Sequence, residues 1–230
     1  MDHGERDHMN WRRRTTPLKQ SCKWALRYAL LASAAAFAFG GVAAAQSGTW
    51  QINTPESAVQ FSARHMMVTT IGGGFSKFSG TVQYDPKDIS KTSIQATIDT
   101  TSENSGVEGR DHDVQSSNFL DVEKYPTMTF QSKRAEAAGP GKLKITGDLT
   151  LHGVTKEVVL DVEGPTPIVK DGRGGLHMGA AASTKINRKD FGILFNRTLD
   201  NGGAIVSDEI GINLQIELTQ PAAGAGKSIP

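Results

Sequence analysis

Cysteine is nearly missing from this 230-residue chain, and the single one, Cys22, sits close to the N-terminus. Everything after it is barred from disulfides, thiolate metal sites and cysteine nucleophiles, and must hold together by packing alone. Helical periodicity is scarce as well, which excludes a helical bundle. No Gly-x-Ser-x-Gly elbow surrounds any serine and no His-x-x-x-His pair occurs. Gly72-Gly73-Gly74 lacks the Lys-Ser/Thr of a phosphate-cradling loop and reads as a flexible hairpin tip. The one long apolar run, Tyr28 to Phe39, is shorter than the roughly 20 residues of a spanning helix.

That run has another use. It follows Arg12, Arg13, Arg14, Lys19, Lys23 and Arg27, and it leads to Val42-Ala43-Ala44-Ala45, the small-residue pattern that signal peptidase accepts. Residues 1–45 are therefore expected to be a cleaved secretory signal peptide. Thr16-Pro17 follows the three arginines where a twin-arginine signal has an apolar pair, which favours general secretion. Cleavage after Ala45 leaves 185 residues, one domain's worth, with 18 basic and 21 acidic side chains. A net charge of about −3 implies no nucleic-acid surface. No stable membrane insertion is expected once the leader is gone. Residues 221–230, made of Ala, Gly, Pro and little to bury, are expected to be a disordered tail, which leaves 46–220 as the folded domain.

Within that domain, alternation with a period of two dominates. Apolar faces are read at Val59-Phe61-Ala63, Val82-Tyr84, Ile94-Ala96-Ile98, Met128-Phe130, Leu143-Ile145, Leu149-Leu151, Val158-Leu160-Val162 and Ile210-Ile212-Leu214-Ile216. Polar partners such as Gln60, Gln95, Thr129 and Asn213 fall between them, and Asp85-Pro86, Gly139-Pro140-Gly141 and Gly164-Pro165 break the runs. Short antiparallel strands with one wet face make an all-β barrel or sandwich. Val107 to Ser117, rich in charge, departs from the alternation and reads as a short helix or an ordered loop.

The most telling stretch is Gly147-Asp148-Leu149-Thr150-Leu151-His152-Gly153-Val154-Thr155-Lys156, an alternating strand entering a tight turn. With it come Trp50-Gln51-Ile52, Ser57 to His65, Gly74-Phe75-Ser76-Lys77-Phe78-Ser79-Gly80, Arg110-Asp111-His112, Tyr125-Pro126, Ile186-Asn187-Arg188-Lys189-Asp190-Phe191-Gly192 and Val206-Ser207-Asp208, in that order. Together these resemble the YceI-like family of bacterial, usually periplasmic, lipocalin-like proteins across nearly the whole mature chain. The chain departs from the family pattern at Asp113-Val114, Asn118 and Leu120.

The resemblance implies a lipocalin-like extended antiparallel β-barrel of about eight strands, with a short helical segment near residues 107–117. It also implies a periplasmic protein that carries or sequesters a long-chain amphiphile, a polyisoprenoid or isoprenoid quinone first, a fatty acid or fatty amide next. An eight-stranded barrel either fills with its own side chains or encloses one slender ligand. The apolar candidates for a lining are Phe61, Phe78, Met128, Phe130, Leu149, Leu151, Leu160, Phe191, Ile212 and Leu214, and in a filled barrel the same residues are core.

Arg64, Arg110 and Arg188 offer forked donors to a headgroup phosphate or carbonyl, and His65 and His152 stand at strand ends as polar contacts. The plainer role for the arginines is to fasten turns, Arg110 with Asp111 and Arg188 with Asp190. His65, His112 and His152 match no metal-ligand spacing, so neither a metal nor a cofactor is expected. Nothing in the chain singles out a catalytic residue, and no enzymatic activity is expected. Two other arrangements remain in view: a filled barrel acting through its surface as a stress or interaction protein, and a homodimer paired through a strand edge or barrel wall.

Overall fold

The computed structural model describes residues 48–200 and 202–220. The leader expected at 1–45 and the tail expected at 221–230 lie outside them. The strands are β1 (Gly48–Ile52), β2 (Ala58–His65), β3 (Thr69–Phe75), β4 (Phe78–Tyr84), β5 (Ser93–Asp99), β6 (Glu103–Asn104), β7 (Thr127–Gly139), β8 (Lys142–Leu151), β9 (Val154–Glu163), β10 (Val169–Lys170), β11 (Leu176–Asn187) and β12 (Val206–Gln220). The helix α1 spans Glu108–Gln115, inside the segment that breaks the alternation.

Eight strands close into an antiparallel ring in the order β1, β4, β5, β7, β8, β9, β11, β12 and back to β1. The fold is thus the all-β barrel with one short helix that the sequence leads one to expect. β12 serves three neighbours. It pairs along its length with β11, with β1 near its C-terminal end at Leu218 and Thr219, and with β2 from Val206 to Gln215. A 3-10 turn at Thr54–Glu56, with Pro55 supplying its fixed φ, separates β1 from β2. β3 folds back on β2, and β6 adds two residues to the far edge of β3.

Alternation explains the wall. Ile94, Ala96 and Ile98 face inward while Gln95 and Thr97 are exposed. On β7 the register shifts between Ser132 and Arg134, a bulge that moves the buried positions from Met128 and Phe130 to Ala135. The Ser132 hydroxyl accepts from the Ile94 amide at 2.7 Å and ties the bulge to β5.

Two local expectations are corrected, and one strand is added. Gly72-Gly73-Gly74 is no hairpin tip; the three residues lie in β3, paired with Ser62, Phe61 and Gln60. Leu143-Ile145 and Leu149-Leu151 belong to one strand, because Gly147 between them leaves room for the Phe130 ring and keeps its ladder. Leu176–Asn187, not among the apolar faces read from the sequence, is the strand β11. No helix among the described residues is long and apolar enough to cross a membrane.

Candidate functional site

The apolar faces do not meet. They surround a cavity of about 670 Å³ inside the ring, within the usual range for a ligand pocket. Its lining follows β11 from Met178 to Ile186, about 26 Å of strand and about 20 Å along a tilted barrel axis. Spread over that length, the volume is an elongated apolar bore with room for a slender chain. Ala180, Ala182 and Thr184 on β11 leave room, since larger side chains there would take up part of the cavity.

The two ends differ. At one, the wholly buried Trp50 packs with Val82, Met178 and Leu218. At the other, the lining turns polar with His65, Arg110, Asp113, Asn118, Asn196 and Arg197. Asp113, Asn118 and Arg197 are exposed as well as lining, so the cavity reaches solvent here. α1, the turns after it and the loop between β11 and β12 supply most of this rim. Asp113, Val114, Asn118 and Leu120, where the chain departs from the family pattern, all line the cavity.

Nine of the ten apolar candidates line the cavity: Phe61, Phe78, Met128, Phe130, Leu149, Leu151, Leu160, Ile212 and Leu214. Phe191 does not. It is almost wholly buried in the main core, in the 3-10 turn Arg188–Phe191 that ends β11.

The polar candidates divide. His65 and Arg110 line the cavity, and the Arg110 guanidinium makes no hydrogen bond or ion pair among the described residues. Arg188 also touches the cavity but is 2% exposed and fully engaged. Its Nη1 donates to the Ile193 and Phe195 carbonyls at 2.7 and 2.8 Å, its Nε to the Ser207 carbonyl at 3.1 Å, and its Nη2 to Asp208 at 3.1 Å. Burial pulls its pKa down while Asp208 opposes that. Its carboxylate partner is Asp208 rather than Asp190, and Asp111 accepts from Ser105 rather than pairing with Arg110.

Arg64 is exposed and braces the β2–β3 turn by donating to the Met67 and Val68 carbonyls and to Thr70. His152 sits at the β8–β9 turn with φ +52, its Nδ1 3.2 Å from the Phe191 carbonyl and its ring 4.6 Å from that of Tyr125. Neither Arg64 nor His152 lines the cavity.

One buried acid had no signal in the sequence. Glu103, 3% exposed, has both carboxylate oxygens without a hydrogen-bond partner. Burial first, and then Asp111, push its pKa up to about 7, with the Arg110 charge opposing, while the Gln115 amide donates to the Glu103 backbone carbonyl instead of its carboxylate.

Among the described residues no group of three or more His, Cys, Asp or Glu is arranged to hold a metal ion. His177, Asp171 and Glu217 are neighbours on the outer wall, but the two carboxylates take opposite ring nitrogens, at 3.1 and 3.0 Å, and do not converge on a point.

Comparison with known proteins agrees with this geometry. The YceI-like domain profile matches residues 50–218. A UPF0312 protein of Vibrio cholerae is 38% identical over 152 residues, covering 65% of this chain and 80% of the relative. Among solved structures, BcnA of Burkholderia cenocepacia superposes with a TM-score of 0.62 at 27% identity, covering 72% of this chain and 98% of BcnA. A polyisoprenoid binding domain from Saccharophagus degradans shares the fold alone, at TM-score 0.52 and 14% identity, over 76% of this chain and all (100%) of that domain. With the profile spanning the whole barrel and its cavity, this chain belongs to the YceI-like family.

Proposed function

We propose that the protein carries or sequesters one long-chain isoprenoid, of polyprenyl or isoprenoid-quinone type, in the periplasm after loss of its leader. The tail lies toward Trp50 and the head among Arg110, Asn118 and His65. The observation that carries this reading is a narrow apolar bore with polar groups gathered at the end that reaches solvent. Each five-carbon unit buried is worth roughly 4 kcal/mol gross, so a few units approach the ceiling of non-covalent affinity without any special contact. The description of the Saccharophagus domain as polyisoprenoid binding fits the same shape, as a likeness of fold.

Arg110, whose guanidinium makes no hydrogen bond or ion pair among the described residues, favours a second reading, a fatty acid held by its carboxylate in the same bore. Mass spectrometry of an organic extract from protein purified without detergent separates the two. A stoichiometric isoprenoid supports the proposal and a fatty acid replaces it. An empty extract that stays empty after incubation with both classes sinks cavity binding altogether.

A further inference from the structure

The turn between β2 and β3 projects an apolar tip. Met66, Met67 and Val68 are 44%, 55% and 78% exposed, and Leu194, in the loop after β11, is 67% exposed. Tip and loop form one rim, for the Met66 amide donates to the Ile205 carbonyl at 2.7 Å and the Ile205 amide to the Arg197 carbonyl at 3.0 Å. Laxity does not explain the exposure. Met66 and Met67 hold left-handed backbones, φ +51 and +59, which unbranched apolar residues rarely adopt, and Arg64 donates to the Met67 and Val68 carbonyls in the same turn. The chain holds two methionines and a valine out into water at a conformational cost.

Two further observations say what such a rim meets. His65, Ile71, Arg197 and Ile205 line the cavity, so the tip stands at its mouth. The two segments that carry the tip and Leu194 are basic: from Ser57 to Tyr84 the charged residues are Arg64 and Lys77 alone, and from Phe191 to Leu199 Arg197 alone, while the acids of the rim, Asp113 on α1 and Asp200, lie outside these segments. Apolar side chains flanked by arginine suit the interface of an anionic bilayer, where the former enter the acyl boundary and the latter meet phosphates.

We infer that this rim is a membrane-docking surface: Met66, Met67, Val68 and Leu194 insert into the outer layer of an anionic bilayer, Arg64 and Arg197 engage its phosphates, and the mouth opens onto the lipid. The choice of a bilayer over a protein partner rests on the cargo reading, since a lipid leaving a membrane for the bore would pass this rim. The docking itself is measured separately.

The experiment is co-flotation of the exported protein, its N-terminus fixed by mass spectrometry, with vesicles of phosphatidylglycerol and phosphatidylethanolamine. The test variant is Met66→Asn with Met67→Asn and Val68→Thr, because asparagine tolerates the left-handed backbone and leaves the fold intact. The expected result is at least a fivefold fall in the bound fraction, with an unchanged melting temperature and unchanged uptake of isoprenoid from cyclodextrin. Arg197→Gln is expected to weaken binding to phosphatidylglycerol vesicles more than to phosphatidylcholine ones. Equal flotation of wild type and variant overturns the inference. So does a rim variant whose only change is the loss of a dimer by native mass, which would assign the rim to a second copy. Isoprenoid uptake without vesicle binding refutes docking and spares the cargo reading. Rim-dependent flotation with an empty cavity does the opposite.

Discussion

The ring of Phe61 lies across Gly73, its partner on β3, with its edge 2.8 Å from the point where a β-carbon would stand. The Glu103 carboxylate reaches to 2.7 Å from the same point. Glycine is required there because two side chains already occupy the space. The arrangement turns Phe61 toward the cavity and leaves an acid buried behind it.

That acid sets a pH dependence. With a folded pKa raised above the unfolded value, Glu103 holds a proton that the unfolded chain has lost between about pH 4.5 and 7. Its contribution is therefore fully present below the unfolded value and disappears as pH rises through about 7. Stability is expected to fall by about 1–3 kcal/mol between pH 5 and 8. Glu103→Gln should flatten the slope and be more stable than wild type at pH 8; urea titrations of both proteins across that range, with unchanged slopes, would refute it.

Room in the bore depends on small residues. Ala182→Phe, on β11 at mid-cavity, should fill the void and reduce extractable or added lipid at least tenfold. Because the new ring occupies existing space, the melting temperature should fall little or rise. Undiminished uptake in the variant would place the ligand elsewhere.

Arg188 holds the loop that borders the mouth. Arg188→Met leaves the Ile193, Phe195 and Ser207 carbonyls and Asp208 without their donor, at an expected cost of about 3–5 kcal/mol. Amide exchange in residues 193–207 should rise even under conditions where the barrel stays folded. An intact exchange pattern would show that the loop stands without it.

His177 bridges Asp171 and Glu217 on the outer wall, and Glu217 also accepts from Asn53. The bonds to Glu217 and Asp171 raise the imidazole pKa above 6.5. The stability they provide is complete below 6.5 and lost as pH rises through the folded value. An NMR titration should place its midpoint above 6.5, moving down in Glu217→Gln. A midpoint unchanged by that substitution would discount the bridge.

The hairpin at His152-Gly153 was legible because both strands alternate cleanly and the turn needs positive φ, which both residues adopt. β11 was not. A cavity wall wants Ala180 and Ala182 on its inner face, and with Ala181 and Ser183 outside, hollowness removes the contrast that marks a strand. The lining followed from parity, which specifies a face; the void behind it came only from the folded ring. Phe191 was misplaced because a turn, not a strand, sets its direction. Arg188 was assigned its neighbour in sequence, whereas its carboxylate lies 20 residues away on β12. Glu103 stands among polar residues with nothing to mark it as buried.

The triple pairing of β12 also governs the order of assembly. Residues 206–220 seal the ring to β1 and β2, whose partners lie more than 140 residues earlier in the chain, so the barrel cannot close until its last segment is present. Emerging N-terminus first, the chain remains an open sheet with bare edges at β1, β2 and β11, a form still able to thread but exposed to edge-to-edge association. Such long-range closure is expected to be the slow phase of refolding, which a chain ending at residue 205 should lack, aggregating instead.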